Sequence, residues 1–219
     1  MSSVPGLSDA VGFVLAGGRS TRMGVDKALV PFCGRPLLEH ALALLREAGL
    51  SATIAGARSA LSGFAPVVDD SEPGRGPLTG VCTALRSCTA RRAVFVPVDL
   101  PLLPASLIRY LLHHARVTGR IVTVASLNGF AQTFPVVVDR EALPVLELEL
   151  ASGRAGCYSG FLAAAADLGQ PVTVIAVEKA VQPGQIVDPR GLPPVRWFLN
   201  VNAPADLRLA EGHRTAPIA

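Results

Sequence analysis

Residues 11–27 read VGFVLAGGRSTRMGVDK, an apolar run that passes directly into a loop rich in glycine and positive charge. The run Val11 to Ala16 has the unbroken apolar character of a strand covered on both faces. Gly17 and Gly18 let the backbone approach a ligand closely and turn its N–H groups towards it. The same stretch adds positive side chains at Arg19, Arg22 and Lys27. It predicts a strand followed by a loop that binds the phosphates of a nucleoside triphosphate.

The spacing of the glycines excludes the two best-known phosphate loops. The next glycine after Gly18 is Gly24, and Val25 follows it where a Walker A loop has Lys and then Ser or Thr. The G-x-G-x-x-G pattern of dinucleotide-binding proteins does not occur in the chain. A simple turn is the alternative interpretation of paired glycines after a strand. The ordered positions of Arg22, Gly24 and Lys27 favour a ligand site instead.

The composition favours one α/β domain. The chain has 219 residues and half of them are hydrophobic, which is enough to bury a sizeable core. The net charge is +3, and the positive residues are scattered without a block of like charge, so nucleic-acid binding has no support. We see no secretory signal and no apolar run of membrane-spanning length. We therefore expect a soluble, cytoplasmic protein with no membrane contact.

The cysteines and histidines show no pattern of a metal site or a nucleophile. The four cysteines are widely spaced and form no C-x-x-C pair, so we expect reduced, buried or half-buried small apolar side chains. The four histidines are expected on helix surfaces or in the core rather than in catalysis. These residues are Cys33, Cys82, Cys88, Cys157, His40, His113, His114 and His213.

Apolar runs alternate with amphipathic segments along the chain, which predicts helices on both faces of a sheet. Arg35 to Glu47 has apolar residues at helical spacing, and Ala93 to Val98 is an almost wholly apolar strand. Phe134 to Val138 contains Pro135 near its start, which predicts a strand at an edge or end of the sheet. The alternation predicts a single-domain, three-layer α/β/α fold with a mostly parallel twisted sheet over residues 9–212. Further strands are predicted at 52–55, 66–68, 121–125 and 172–177, and further helices at 76–87, 105–116, 140–150, 157–167 and 203–211.

The remaining segments carry weaker signals. Residues 182–194 are rich in proline and glycine and are predicted to form a surface loop, with a substrate lid as the alternative. Residues 1–8 and 213–219 are expected to be frayed ends.

Polar residues follow several of the predicted strands. Asp99 ends the strongest apolar strand, Asp69 and Asp70 end another, and Asn200 and Asn202 follow an apolar run. In an open parallel sheet, ligands collect outside the carboxyl ends of the strands, so these side chains are expected to converge. Mg²⁺ prefers one or two carboxylates together with water and substrate phosphate oxygens. Asp99, held between two prolines, is therefore predicted to bind Mg²⁺, with a solvated aspartate as the alternative.

The pattern LAGGxSxRMGxDK at residues 15–27 resembles the signature of the molybdenum cofactor guanylyltransferases and their wider nucleotidyltransferase superfamily. The DxP at 99–101, the GPLxG at 76–80 and the NxNAPxDL at 200–207 are similar to further motifs of that family, with Ala203 replacing the usual Thr. The resemblance covers nearly the whole chain. It implies a GT-A-like nucleotide-diphospho-sugar transferase fold and an enzyme that links a nucleotide to molybdopterin.

The resemblance also implies roles for single residues. Lys27 and Arg22 would hold the triphosphate, and Asp99 would fix Mg²⁺. Nucleotide binding is implied for Leu15, Ala16, Gly17, Gly18, Lys27, Asp70, Gly76 and Asp99. Molybdopterin binding is implied for Gly80, Asn200 and Asn202.

For Asp70 and Asn202, the sequence also allows roles other than those that the resemblance implies. Asp70 would accept hydrogen bonds from the ring N–H and the exocyclic amine of guanine. Asp69 is the alternative if the register differs by one, and an Asx turn or a helix cap is another. Asn202 has a capping role before the last helix as its alternative.

The chain departs from the family pattern at two places. Ala55 stands where the family commonly offers an Asn beside the base, so that contact is lost or replaced. The stretch from Arg154 to Trp197 also looks longer than the family usually needs. Arg154 is therefore only a candidate contact to pyrophosphate or to the pterin phosphate.

The implied reaction transfers GMP from Mg-GTP to the terminal phosphate of molybdopterin and releases pyrophosphate. Transient contacts with cofactor-synthesis or molybdoenzyme partners would accompany it. A molybdopterin cytidylyltransferase and a sugar-phosphate nucleotidyltransferase are alternatives on the same fold. The LAGG start favours a purine over the TAAG-like start of cytidine-specific relatives, although Ala55 weakens this point. A non-catalytic nucleotide-binding adaptor is a further alternative, but an adaptor has no physical need of the carboxylate of Asp99.

Overall fold

The computed structural model describes residues 9–16, 26–57, 59–69 and 76–215. Strands and helices alternate along these residues, as the sequence predicts. The strands are β1 (Ala10–Leu15), β2 (Pro31–Phe32), β3 (Arg35–Pro36), β4 (Ala52–Ala57), β5 (Val67–Asp69), β6 (Arg92–Pro97), β7 (Val122–Leu127), β8 (Phe130–Asp139) and β9 (Thr173–Ala176). The α-helices are α1 (Leu37–Glu47), α2 (Pro77–Ser87), α3 (Ala105–Thr118), α4 (Leu143–Ala151), α5 (Cys157–Asp167), α6 (Val177–Val181), α7 (Pro194–Trp197) and α8 (Pro204–Thr215).

Seven strands form one sheet in the order β5-β4-β1-β6-β8-β7-β9, and β2 pairs with β3 in a separate small hairpin. β8 is antiparallel to both of its neighbours, and the other pairs within the large sheet are parallel. The central strand β1 places Val14 between Ile54 of β4 and Val96 of β6. The prediction of a mostly parallel sheet is confirmed, and the carboxyl ends of its parallel strands share one edge.

Side chains of the central strands alternate between two cores, which produces the predicted three layers. In β1, Val14 packs into the core under α1, α3 and α6, whereas Phe13 and Leu15 pack into the core under α2, α4 and α5. β6 divides its side chains in the same way, with Val96 on the first face and Phe95 on the second. Because each fully buried side chain of this kind contributes about 1.5–3 kcal/mol, both faces must be covered by helices.

The interior position of β8 contradicts the prediction that residues 134–138 form an edge or an end of the sheet. β8 lies between β6 and β7, and its Phe134–Pro135 peptide bond is cis. Pro135 falls where the register with β7 shifts between Val124 and Ser126. Proline lacks the N–H that a regular ladder requires, so an irregular position tolerates it inside a sheet.

The ends of several helices also differ from the predictions. The predicted helix 35–47 begins only at Leu37, because residues 35–36 form β3. The last helix continues to Thr215, so the prediction of a frayed end was wrong for residues 213–215. No helix within the described ranges is long and apolar enough to cross a membrane.

The loop predicted at 182–194 is anchored to the body of the protein. Trp197, which follows it, is 1% exposed, and its indole N–H donates to Asp188 Oδ2 at 3.1 Å and to the Leu192 carbonyl at 2.9 Å. At the start of α3, Ser106 Oγ donates to the Val187 carbonyl at 2.6 Å. The indole therefore holds the second half of the loop, from Asp188 to Leu192, and fills the core beneath it.

Replacing this indole is expected to weaken the fold. Trp197→Ala removes a large buried side chain and leaves Asp188 without its indole donor, so we expect the free energy of unfolding to fall by about 3–5 kcal/mol. Urea denaturation followed by circular dichroism measures the change. Val195→Ala on the same short helix is the control, because Val195 is 54% exposed and a surface change costs at most about 0.5 kcal/mol. Equal urea midpoints for the two variants would contradict the anchoring role.

Candidate active site

Asp99 lies at the carboxyl edge of the sheet, just beyond the end of β6. The Val98 N–H donates to the Leu15 carbonyl at 3.4 Å, which holds this turn beside the end of β1. The Asp99 side chain is 22% exposed. A carboxylate in this position is reachable from solvent and is fixed by the two central strands.

Lys27 approaches Asp99 from the loop that follows β1. It begins a 3-10 turn over Lys27–Leu29 that is capped by Asp26, whose Oδ1 accepts from the Ala28 N–H at 3.0 Å. The Lys27 ammonium donates to Asp99 Oδ2 at 2.8 Å and to Asn202 Oδ1 at 2.6 Å. Charge-assisted bonds of this length are among the stronger hydrogen bonds in proteins. The structure thus joins Lys27 and Asp99, which are 72 positions apart in the sequence.

The segment 200–202 completes this cluster from the other side. The Val201 N–H donates to the main-chain oxygen of Asp99 at 2.9 Å, and the Val201 side chain is fully buried. Side chains two apart in an extended chain point to the same side, so Asn200 and Asn202 both face the site. The Asn200 amide, with its NH₂ turned towards Asp99, donates to Oδ2 at 2.8 Å and to Oδ1 at 3.2 Å. Lys27, Asp99, Asn200 and Asn202 form what we call the Lys–Asp cluster.

The hydrogen bonds at the start of α8 bear on the alternative role of Asn202 as a cap. Asp206 Oδ2 accepts from the main-chain N–H groups of Asn202 and Ala203, each at 2.9 Å. The side-chain oxygen of Asn202 accepts from Lys27 instead. Asp206 therefore serves the helix start, and the structure favours a site position for the Asn202 side chain. Asp206 is not among the predicted site residues, although a carboxylate three residues after a cap position is a known capping signal.

The GPLTG segment at 76–80 lies against the ends of β1 and β4. Gly76 has φ +95°, a backbone conformation that any other residue would adopt only with strain. A Cβ added at Gly80 would lie 3.5 Å from Leu15 Cδ2 and 3.8 Å from Gly56 Cα. The first turn of α2 therefore packs closely on this edge of the sheet, and helix N-termini attract anions.

The neighbouring strand ends show where the other predicted residues lie. Ala55 is fully buried in the core under α2, and its carbonyl accepts from the Ala16 N–H at 3.1 Å. Asp69 is the exposed last residue of β5. The remaining predicted residues of the nucleotide site lie outside the described ranges, namely Gly17, Gly18, Arg19, Arg22, Gly24 and Asp70.

Arg154 has a partner that the sequence analysis missed. Its Nε and one terminal nitrogen each donate to the Glu149 carboxylate at 2.7 Å. This hydrogen-bonded guanidinium holds the pKa of Glu149 below its ordinary value. A Cβ added at Gly76 would lie 3.7 Å from the Ala155 carbonyl, so the residue after Arg154 contacts the start of α2. Arg154 is thus near the candidate site but is bound by an acidic neighbour.

The cysteines agree with the predicted apolar role except at one position. Cys82, Cys88 and Cys157 are buried, and burial raises the pKa of Cys82 and of Cys157 to about 12. Cys33 is exposed, contrary to the expectation, because it occupies the turn between β2 and β3 with φ +47°. Within the described residues, no group of three or more His, Cys, Asp or Glu side chains is arranged to hold a metal ion.

Comparison with known proteins places the chain among nucleotidyltransferases. A family model described as the MobA-like NTP transferase domain matches residues 12–168. A molybdenum cofactor guanylyltransferase from Xanthomonas euvesicatoria pv. vesicatoria is 43% identical over 150 residues, which is 65% of this chain and 74% of that protein. A probable molybdenum cofactor guanylyltransferase from Carboxydothermus hydrogenoformans is 31% identical over 195 residues, 88% of this chain and 90% of that protein.

Solved structures share the fold at lower identity. The molybdopterin-guanine dinucleotide biosynthesis protein A from Archaeoglobus fulgidus has a TM-score of 0.73 at 20% identity, over 92% of this chain and 96% of that one. The 2-C-methyl-D-erythritol 4-phosphate cytidylyltransferase from Thermus thermophilus has a TM-score of 0.64 at 16% identity, over 91% and 96%. The family match and the near full-length relatives confirm the resemblance seen in the motifs. The chain belongs to the MobA-like NTP transferase family, with the molybdenum cofactor guanylyltransferases, and is a nucleotidyltransferase.

Proposed function

We propose that this enzyme transfers GMP from GTP, bound together with Mg²⁺, to the terminal phosphate of molybdopterin and releases pyrophosphate. The observation that carries the proposal is the contact between the Lys27 ammonium and the Asp99 carboxylate at 2.8 Å, at the carboxyl edge of the sheet. Relatives named molybdenum cofactor guanylyltransferase support the choice of nucleotide and acceptor.

The Lys–Asp cluster suits a divalent cation. Asp99 offers a partly exposed carboxylate, the ligand that Mg²⁺ prefers, and Mg²⁺ usually completes its shell with water and substrate phosphate oxygens. The Lys27 ammonium lies 2.8 Å from Asp99 Oδ2, so this oxygen already accommodates a positively charged group. This observation supports the fit of a cation. When bound, Mg²⁺ would neutralise charge on the phosphate groups and favour their alignment. Asp99 is therefore the proposed metal ligand.

The proposed reaction needs no covalent intermediate on the protein. An oxygen of the molybdopterin phosphate attacks the α-phosphorus of GTP, and a new P–O bond forms. The bond from the α-phosphorus to the bridging oxygen breaks, and pyrophosphate leaves with the electron pair. Such phosphoryl chemistry depends mainly on positioning and on charge stabilisation.

The chain's own residues would supply that positioning. Lys27 would donate to the phosphate oxygens and stabilise the leaving pyrophosphate, with Arg22 and the backbone of Gly17 and Gly18 as further proposed phosphate contacts. The start of α2 at Gly76 would lie beside the nucleotide, together with Leu15 and Ala16 at the end of β1. Gly80 and the two asparagines are the residues that the family motifs assign to molybdopterin. Transient contact with cofactor-synthesis or molybdoenzyme partners belongs to the same proposal.

Two positions bear on the choice of base, Asp70 and Ala55. Asp70 is the proposed partner of guanine. Ala55 presents a buried methyl group where an amide would help to select guanine, and this observation keeps CTP as the second candidate nucleotide.

Thermal-shift measurements with GTP, CTP, ATP and UTP in MgCl₂ test the choice. A ligand at a hundred times its Kd adds about 2.7 kcal/mol to the stability of the native state, which raises the Tm of a chain of this size by about 5–10 °C. We expect the largest rise with GTP and the release of pyrophosphate once molybdopterin is added. A larger rise with CTP would make the enzyme a cytidylyltransferase. Binding of GTP without pyrophosphate release under any of these conditions would favour the non-catalytic adaptor.

A further inference from the structure

The two asparagines of the Lys–Asp cluster contact the groups that would handle metal and phosphate. Asn202 Oδ1 accepts from the Lys27 ammonium at 2.6 Å. The Asn200 NH₂ donates to both oxygens of the Asp99 carboxylate, at 2.8 and 3.2 Å. Each amide is thus hydrogen-bonded to a charged residue of the cluster, although the family motifs assign both to molybdopterin.

The count of donors and acceptors explains what each amide does. An ammonium has three N–H donors, and Asp99 and Asn202 use two of them, which leaves one for a phosphate oxygen. A carboxylate has about four lone-pair positions, of which the described bonds from Lys27 and Asn200 use three. Donation to both oxygens also fixes the plane of the Asp99 carboxylate. The bonds therefore orient these two groups without using all of their binding capacity.

The main chain holds the asparagines in place. The Val201 side chain is fully buried in a small core with Phe32 and Leu102, and its N–H is bonded to the Asp99 carbonyl at 2.9 Å. Asp206 fixes the turn that follows by accepting from the Asn202 and Ala203 N–H groups. The segment is thus tied both to the metal-binding turn and to α8, which gives the two amides fixed positions.

We propose that Asn200 and Asn202 are positioning residues for the metal and the triphosphate, Asn200 acting on Asp99 and Asn202 acting on Lys27. This inference rests on the proposed function and deepens it. It assigns the two residues to the nucleotide site, where they would position Asp99 and Lys27, and not to the site that binds molybdopterin. Outer hydrogen bonds of this kind typically change metal affinity or activity about 10–100-fold when they are lost.

Binding measured in the absence of molybdopterin separates the two roles. Asn200→Ala and Asn202→Ala are compared with the parent protein by calorimetry, with Mn²⁺ and a non-hydrolysable GTP analogue as the probes. We expect the affinity for the Mn²⁺–analogue pair to fall about 10–100-fold in each variant. In turnover assays, kcat is expected to fall while the KM for molybdopterin stays close to the parent value.

Controls distinguish a positioning role from a general loss of structure. Asn128→Gly is the matched control, because Asn128 lies in the β7–β8 turn with φ +50° and glycine suits that conformation. Its affinity for the probe is expected to equal that of the parent. Should Asn202→Ala unfold, Asn202→Leu keeps the branched shape of the side chain and removes the amide's acceptor together with its donors.

The outcomes also separate this inference from the proposed function. Unchanged affinity for the Mn²⁺–analogue pair in both alanine variants, with a raised KM for molybdopterin, would overturn the positioning role and leave the proposed function intact. Failure of the parent protein itself to bind the probe would overturn both.

Discussion

Asp99→Asn is expected to lower kcat by about a hundredfold or more, the usual cost of losing one preorganised charge contact in an active site. The change removes the negative charge that would bind Mg²⁺. It also creates a local conflict, because Lys27 and Asn200 both donate to the carboxylate, and the new NH₂ group would face one of these donors. The side chain is 22% exposed, so we expect the fold to survive.

Pyrophosphate release at saturating GTP, Mg²⁺ and molybdopterin measures this effect, and thermal unfolding checks the fold. Asp167→Asn is the matched control, because Asp167 is an exposed aspartate at the end of α5, and its turnover should equal that of the parent. Turnover of Asp99→Asn within a few fold of the parent value would contradict a metal-binding role for this carboxylate.

Lys27→Ala is expected to have a loss of similar size, about a hundredfold or more in kcat/KM for GTP, because the triphosphate loses a positive charge that is fixed in advance. The metal site should respond differently. In the parent protein the Lys27 ammonium lies 2.8 Å from Asp99 Oδ2, and the variant lacks this ammonium. The affinity of the variant for Mn²⁺ should therefore be retained or increased. Loss of turnover with retained metal binding would assign Lys27 to the triphosphate and Asp99 to the metal.

The chain contains only one other lysine, which supplies the control for this variant. Lys179 is exposed on α6, and Lys179→Ala should leave turnover and Mn²⁺ binding unchanged. Steady-state kinetics with varied GTP and Mn²⁺ titration by calorimetry give the two readouts. Parental kcat/KM in Lys27→Ala would exclude Lys27 from triphosphate binding.

The part of the fold that the sequence predicts well depends on local patterns. Apolar runs such as those of β1 and β6 require cover on both faces, so they predict parallel strands flanked by helices. The interior position of β8 was not predictable in this way. The pairing of β8 with β6 joins strands that are separated in the sequence by α3 and β7. The irregular register with the adjoining strand β7, which accommodates Pro135, is a property of the paired strands and not of the apolar pattern of either one.

The residues of the candidate site were also only partly predictable from local patterns. Strand ends predict that the loop after β1, Asp99 and the segment 200–202 lie at one edge of the sheet, because ligands collect outside the carboxyl ends of parallel strands. The partners of Asn200 and Asn202, and the Glu149 that binds Arg154, depend on how the chain returns to that edge after α3. Family motifs list the residue types at such positions, but they do not say which atoms those residues contact.

Pyrophosphate release by the purified protein tests the proposed reaction at its chemical step. With GTP, Mg²⁺ and molybdopterin present, we predict release that requires all three components and that falls about a hundredfold or more in Asp99→Asn and in Lys27→Ala. Release that proceeds at the parental rate in both variants, or no release by the parent protein with any nucleoside triphosphate, would contradict the role of the Lys–Asp cluster.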